Sequence, residues 1–163
     1  MNDSTAVKTL CILRLSALGD ATHVLPLIRT LQRNLPGCRI TWILGKAEAK
    51  LMEGLENVEL IAFDKKSGLK GVKQLAQQLA GKRFDVLLQM QLALRANLIS
   101  AVIPAKRRIG YNTGRSKEGH GLFINERIAS GKHHVLDVFG LFAEPLGFSQ
   151  TEVRWDIPVS PDQ

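Results

Sequence analysis

Cysteine is nearly missing from this chain: Cys11 and Cys38 are the only two in 163 residues. That count excludes a disulfide framework and any thiolate-based metal centre. Two buried thiols, each assigned to a strand and kept in a reducing compartment, fit better. Aromatic residues are also scarce, at 6% with a single tyrosine, which argues against a base-stacking platform for RNA. No apolar run comes near the ~20 residues needed to cross a bilayer. The first long one, after the amino terminus, is interrupted by Lys8 and Arg14. Met1-Asn2-Asp3-Ser4 lacks the basic region of a signal peptide. A cytoplasmic protein is expected, with any membrane contact peripheral. Glycine-rich phosphate fingerprints are lacking too. The turn at Gly19 has one glycine where a dinucleotide fingerprint needs three, and no Walker lysine–hydroxyl pair follows. A self-contained nucleotide enzyme is thereby disfavoured. His133-His134 has no neighbouring cysteine or acidic ligand and reads as a cap or surface feature. No metal and no cofactor are expected.

Positive charge is what the sequence has in excess. Lysine and arginine number 22 against 15 acidic residues, a net +7 that draws anions to the surface. Phosphates, nucleic acid, acidic sugars and anionic headgroups all satisfy that sign. With 45% hydrophobic residues the chain can build a core of its own.

Short apolar runs alternate with amphipathic stretches. Thr9–Leu15 reads as a strand, followed by a helix reaching Leu35 with Val24, Leu27, Ile28 and Leu31 on one face. Pro36-Gly37 stops it. Further strands are expected at Arg39–Leu44, Val58–Phe63, Phe84–Met90 and Arg108–Tyr111, with another inside Leu122–Ile128. Helices are expected at Ala47–Leu55, Leu69–Leu79, Leu92–Val102 and His133–Leu146. This alternation predicts an α/β fold, a parallel sheet with helices on both faces. Ligands then bind beyond the carboxyl ends of the strands, in the loops 16–20, 45–47, 64–68, 90–92 and 112–121. Trp155-Asp156-Ile157-Pro158-Val159-Ser160-Pro161 has the extended character of a linker.

The stretch Leu15-Ser16-Ala17-Leu18-Gly19-Asp20-Ala21-Thr22-His23-Val24-Leu25-Pro26 stands at the first of these loops. Asp20 suits an N-cap, a role worth about 1 kcal/mol. It equally suits a carboxylate for acid–base chemistry. His23 stands where a capping box would carry Glu or Gln. Pro26 removes an early helical hydrogen bond unless the regular helix starts late. Both roles of Asp20 remain open on local grounds. Two basic clusters follow: Lys65, Lys66, Lys70 and Lys73 around Gly68, and Lys106, Arg107, Arg108, Arg115, Lys117 and His120 interleaved with glycines. A charge run is most often a solvated face, yet loops of this kind also suit small anionic ligands.

The run Ile12–Pro26, with Gly19, Asp20, His23, Leu25 and Pro26 in their places, resembles the opening of the bacterial lipopolysaccharide heptosyltransferases, glycosyltransferase family 9. Arg108-Ile109-Gly110-Tyr111, Gly121-Leu122-Phe123, His134-Val135-Leu136-Asp137 and Leu146-Gly147 resemble its later landmarks, in order. The resemblance implies one half of a GT-B enzyme, whose two Rossmann-like halves face a cleft. Residues 1–155 would form the acceptor-binding domain and residues 156–163 the start of the interdomain linker. The donor domain would lie outside this chain. The implied reaction is inverting transfer of heptose from ADP-heptose to an acidic lipid A–Kdo acceptor of the inner core. The family assigns the base to Asp20, with His23 beside it. Ser16, Gly19, Lys65, Lys66, Lys70, Arg107, Arg108, Arg115, Lys117 and His120 would form the acceptor site. Peripheral contact with the inner membrane and no nucleic acid are implied. The competing class is a non-catalytic anion- or nucleic-acid-binding α/β domain, which salt-dependent nucleic-acid binding would reveal.

Overall fold

A computed structural model of the chain describes residues 7–15, 19, 22–91, 94–111, 123–128 and 141–147. Strand β1 (Thr9–Leu13) leads into helix α1 (Val24–Asn34), β2 (Arg39–Gly45) into the short α2 (Lys46–Leu51), and β3 (Val58–Phe63) into α3 (Gly68–Gln78). Then β4 (Phe84–Gln89) leads into α4 (Leu94–Ala101), followed by β5 (Ala105–Gly110) and the two-residue β6 (Glu126–Arg127). A 3-10 segment, Leu141–Leu146, closes the described part. The strands form one sheet in the order β3-β2-β1-β4-β5-β6. Every neighbouring pair is parallel. The expected α/β architecture is therefore present.

The period of two along each strand sorts its side chains onto two covered faces. On one face Leu10, Ile12, Trp42, Leu44, Val86 and Leu88 cluster with Val24, Leu27, Ile28 and Leu31 of α1. On the other, Cys11, Leu13, Ile43 and Leu87 cluster with Leu75 of α3 and with Ala96 and Ile99 of α4. Because strands β1, β2 and β4 are buried on both sides, they read in sequence as almost unbroken apolar runs. Tyr111 and Phe142 meet edge to face, ring centroids 5.4 Å apart, and fix the 3-10 segment over the first of these cores.

Three expectations change. The segment Leu141–Leu146 is 3-10 rather than α-helical, because Pro145 lies inside it and its ring excludes an α turn; residues 133–140 lie outside the described residues. The fifth strand begins at Ala105 rather than Arg108, so Lys106 and Arg107 also sit within it rather than in a loop before it. Cys38 falls in the turn ahead of β2 rather than in the strand. Burial pushes the Cys11 thiol well above its ordinary range and the Cys38 thiol up to about 11. Both stay protonated at neutral pH, so neither is an activated nucleophile.

The amino end of β1 is held to β4 by one carboxylate. Asp85 accepts hydrogen bonds from the amides of Lys8 (2.8 Å) and Thr9 (3.2 Å), while its own amide donates to Thr9 Oγ1 (3.0 Å). The Lys8 amide, and then that of Thr9, hold the Asp85 carboxyl below its ordinary range. A depressed carboxylate contributes stability above its unfolded pKa and loses it as pH falls through the folded value. Asp85→Asn is expected to cost about 1 kcal/mol at neutral pH. Below about pH 4 the gap from wild type should shrink. Chemical denaturation across pH checks this; a gap that stays constant into acid would contradict it.

Candidate active site

In this strand order the chain turns one way after β1 and the other way at β4, so the crevice between the carboxyl ends of β1 and β4 is the topological switch point. The exit of β1 is fastened there. Leu13 O accepts from Met90 N (3.0 Å) and Ile43 O accepts from Arg14 N (3.1 Å), which carries the ladder past the last strand residue. The Leu15 amide donates to Gln91 Oε1 (2.6 Å), and the Leu15 carbonyl accepts from Gly45 N (2.9 Å). Arg14 donates to Met90 O (2.5 Å), which also accepts from the Tyr111 hydroxyl (2.7 Å). The indole of Trp42 donates to Arg14 O (3.2 Å). Both peptide groups of Leu15 are thus satisfied by the strands on either side, one of them through the Gln91 side chain.

Between Leu15 and α1, the described residues Gly19 and Thr22 have helical backbone. Ser16 and Asp20 lie outside the described residues. Gly19 is exposed, and its carbonyl accepts from Thr22 Oγ1 (2.6 Å). The regular helix begins at Val24, with His23 as its N-cap residue and no side-chain cap. Pro26 therefore falls in the first turn, where its missing N–H has no intrahelical acceptor to lose. His23 Nδ1 is buried and has no hydrogen-bond partner among the described residues.

The basic turn after β3 comes to the same edge. Lys65 reaches back to Glu48 of α2, Nζ to Oε1 3.4 Å. Glu48 is 2% exposed, and its second oxygen has no hydrogen-bond partner among the described residues. The approach is close enough that a Cβ on Gly45 would stand 2.8 Å from Leu15 O and 2.9 Å from Lys65 Cε. Glycine is what lets Lys65 lie across the end of β2 towards β1. Lys66 and Lys70 are exposed, and the Lys66 amide donates to Asp64 Oδ1 (3.0 Å). That bond, ahead of the nearby Lys46 ammonium (3.4 Å), holds the Asp64 carboxyl below its ordinary range.

Two arginines expected at the acceptor site turn inward instead. Arg107 makes a two-pronged pair with Glu126 (2.7 and 2.8 Å) and donates to Pro145 O (2.7 Å). Arg108 donates to Phe123 O (2.9 Å), Ile103 O (2.8 Å), Ser100 Oγ (2.9 Å) and Ser100 O. Being consecutive in a strand, they point to opposite faces, one stapling β6 and the 3-10 segment, the other the end of α4. Arg115, Lys117 and His120 lie outside the described residues. A larger open groove, about 900 Å³, lies at the opposite edge of the sheet among Thr9, Arg39, Glu59, Lys82 and Arg83. It faces the amino ends of the strands, where the switch point offers nothing.

A model of glycosyltransferase family 9 (heptosyltransferase) matches residues 72–163, more than half of the chain. The chain belongs to that family. It is 47% identical over 158 residues to the lipopolysaccharide core heptosyltransferase OpsX of Haemophilus influenzae, covering 96% of this chain and 46% of that protein. In fold it is similar to Escherichia coli heptosyltransferase WaaC solved with ADP, TM-score 0.77 at 22% identity, covering 91% of this chain and 51% of that one. It is also similar to the glycosyl transferase family 9 protein of Veillonella parvula, TM-score 0.82 at 21% identity, covering 95% and 46%. WaaC has been solved with ADP-2-deoxy-2-fluoro heptose as well. The chain spans about half the length of these relatives.

Three residues of this family member matter at the edge without having been singled out as site residues or landmarks in sequence: Arg14, Glu48 and Gln91. Gln91 alone had a positional signal, since it follows a strand in one of the expected ligand loops. Glu48 looks in sequence like any helix-surface carboxylate. Arg108 is the sharpest case of a cation that geometry withdraws from ligand binding, and burial lowers its pKa from the usual arginine range. Arg108→Lys keeps the charge but loses the planar fork. It is expected to destabilise the fold by about 2 kcal/mol, seen as a lower urea midpoint, while affinity for anions stays unchanged. A variant of wild-type stability with weakened anion binding would contradict the structural role.

Proposed function

We propose that this chain is the acceptor-binding half of a GT-B heptosyltransferase that moves heptose from ADP-heptose to the inner core of lipopolysaccharide. Residues 1–155 form the domain and residues 156–163 open the linker towards a donor half that holds ADP-heptose. The observation that carries this reading is the fastening of Leu15 between Gly45 and Gln91, which fixes the exit of β1 at the switch point. Membership of the family supplies the reaction class, and WaaC with its ADP ligands supplies the donor chemistry by likeness.

In this reading an acceptor hydroxyl attacks the anomeric carbon of the heptose from the face opposite the diphosphate. The new C–O bond forms as the bond to ADP breaks, the electron pair leaves with ADP, and the configuration inverts. The hydroxyl proton passes to Asp20. Inverting transfer through an oxocarbenium-like state needs such a base on the attacking side. His23 orients it, and its unpartnered ring nitrogen supports that role. The late start of α1 supports Asp20 as well, because the N-cap position belongs to His23. Lys65, Lys66 and Lys70 meet the acid groups of a lipid A–Kdo acceptor, together with Ser16, Gly19, Arg115, Lys117 and His120. Arg107 and Arg108 hold the framework instead. The enzyme works in the cytoplasm, peripheral to the inner membrane, without a metal or other cofactor. An anion- or nucleic-acid-binding domain without catalysis explains the lysines but not the fastened exit of β1.

The test is transfer by a form that includes a donor half, wild type against Asp20→Asn. Asn caps helices about as well as Asp, so stability should hold while turnover falls about 10²- to 10⁴-fold. An Asn variant that keeps most of its turnover would remove Asp20 from the chemistry.

A further inference from the structure

The face where α3 meets α4 is unlike the rest of the described surface. Leu69 is 78% exposed and Leu98 42% exposed, the large apolar side chains that stand out among the described residues. They flank an open groove of about 270 Å³ whose other walls are Phe63, Gly68, Val72 and Arg95. Exposed leucines scattered singly need no explanation, but two on facing helices beside an apolar groove form a patch.

Among the described residues, the charges around this patch are cationic apart from Asp64. On α3, Lys73 stands four residues after Leu69 and neighbours it along the helix surface, while Lys66 lies in the turn just before the helix. Lys66, Lys70 and Lys73 are exposed, as is Arg95 across the groove. Neither α3 (GLKGVKQLAQQ) nor α4 (LRANLISA) contains an Asp or Glu. The nearby Asp64 is engaged by Lys46 and by the Lys66 amide. Apolar side chains ringed by unopposed cations match an anionic lipid surface, whose headgroups meet the ammonium groups while the leucines enter the acyl boundary. A second copy of the chain fits poorly, because two such faces would bring like charges together. No described helix is long and apolar enough to cross a membrane, so the contact is one of docking.

We propose that the Leu69–Leu98 face, with Lys66, Lys70, Lys73 and Arg95, is where this protein docks on an anionic bilayer. The inference deepens the peripheral membrane contact proposed above and rests on it for the identity of the membrane. In a parallel sheet, α3 and α4 start at the carboxyl edge, the edge that carries the β1 loop. Docking there keeps a lipid-borne acceptor in its bilayer while its sugars reach that loop.

Flotation with phosphatidylglycerol–phosphatidylcholine vesicles tests this, on the chain alone and on a form carrying the donor half. Binding should be strong at low salt, fall as salt rises, and be absent with phosphatidylcholine alone. Leu69→Ser/Leu98→Ser and, separately, Lys73→Gln/Arg95→Gln should each weaken it more than about tenfold at an unchanged melting temperature. With a deacylated, soluble acceptor, the Leu69→Ser/Leu98→Ser enzyme should retain wild-type transfer. Vesicle binding that is missing, or equal in all variants, would overturn the proposal. So would a dimer that the leucine changes dissolve, or a donor half that abolishes vesicle binding by covering the face. A failure of transfer with vesicle binding intact would fall on the catalytic reading alone.

Discussion

Leu15 is the residue on which the site's geometry turns. Its amide and carbonyl are the last on β1 to be satisfied, by Gln91 on one side and Gly45 on the other. A strand end left to solvent would fray, and the loop after it would sample many positions. Fastened at both peptide groups, the exit of β1 is fixed beside the crevice. The supports are themselves tied down: Met90 O takes both Arg14 and Tyr111, and Trp42 holds Arg14 O. Catalytic groups borne on loops gain their accuracy from rigid elements beneath them, and here the elements are the central strands of a sheet buried on both faces.

Charge divides along the same geometry. The basic character of the chain is uniform in sequence but not in use. Arg107 and Arg108 are interior fasteners, their planar forks filled by carboxylate and carbonyl oxygens. Lys65 is half engaged, bent inward to a buried Glu48 whose second oxygen has no partner among the described residues. Lys66, Lys70, Lys73 and Arg95 remain exposed to solvent at the carboxyl edge and its flank. At the opposite edge Lys82 is matched by Glu59 (2.6 Å).

Much of this was legible in the sequence, and what was not has identifiable causes. Strands β1, β2 and β4 announce themselves as apolar runs because both faces are covered. Val58–Phe63 was expected and found at the same bounds. The fifth strand starts earlier than its apolar residues suggest because Arg107 and Arg108 find partners outside the sheet plane, a long-range matter invisible in local pattern. The late start of α1 could be read from Pro26, since a proline at that place is tolerated only in a first turn. The Glu48–Lys65 contact could not, because it depends on β3 lying beside β2 and on Gly45 leaving room for it. The family resemblance rested on Gly19, Asp20, His23 and Pro26, and no local pattern in it tells that Arg107 and Arg108 find their partners within the fold.

The account stands on the carboxyl edge of β1, β2 and β4 being the surface that receives the acceptor. Amide chemical-shift mapping of the isotope-labelled chain, titrated with a soluble Kdo-containing core oligosaccharide, measures this directly. Perturbations are predicted to concentrate on residues 14–23, on Lys65 and Lys66, and on Gln91, and to leave Arg39, Lys82 and Arg83 unmoved. Shifts centred on the groove at the opposite edge, with the β1 loop silent, would contradict it.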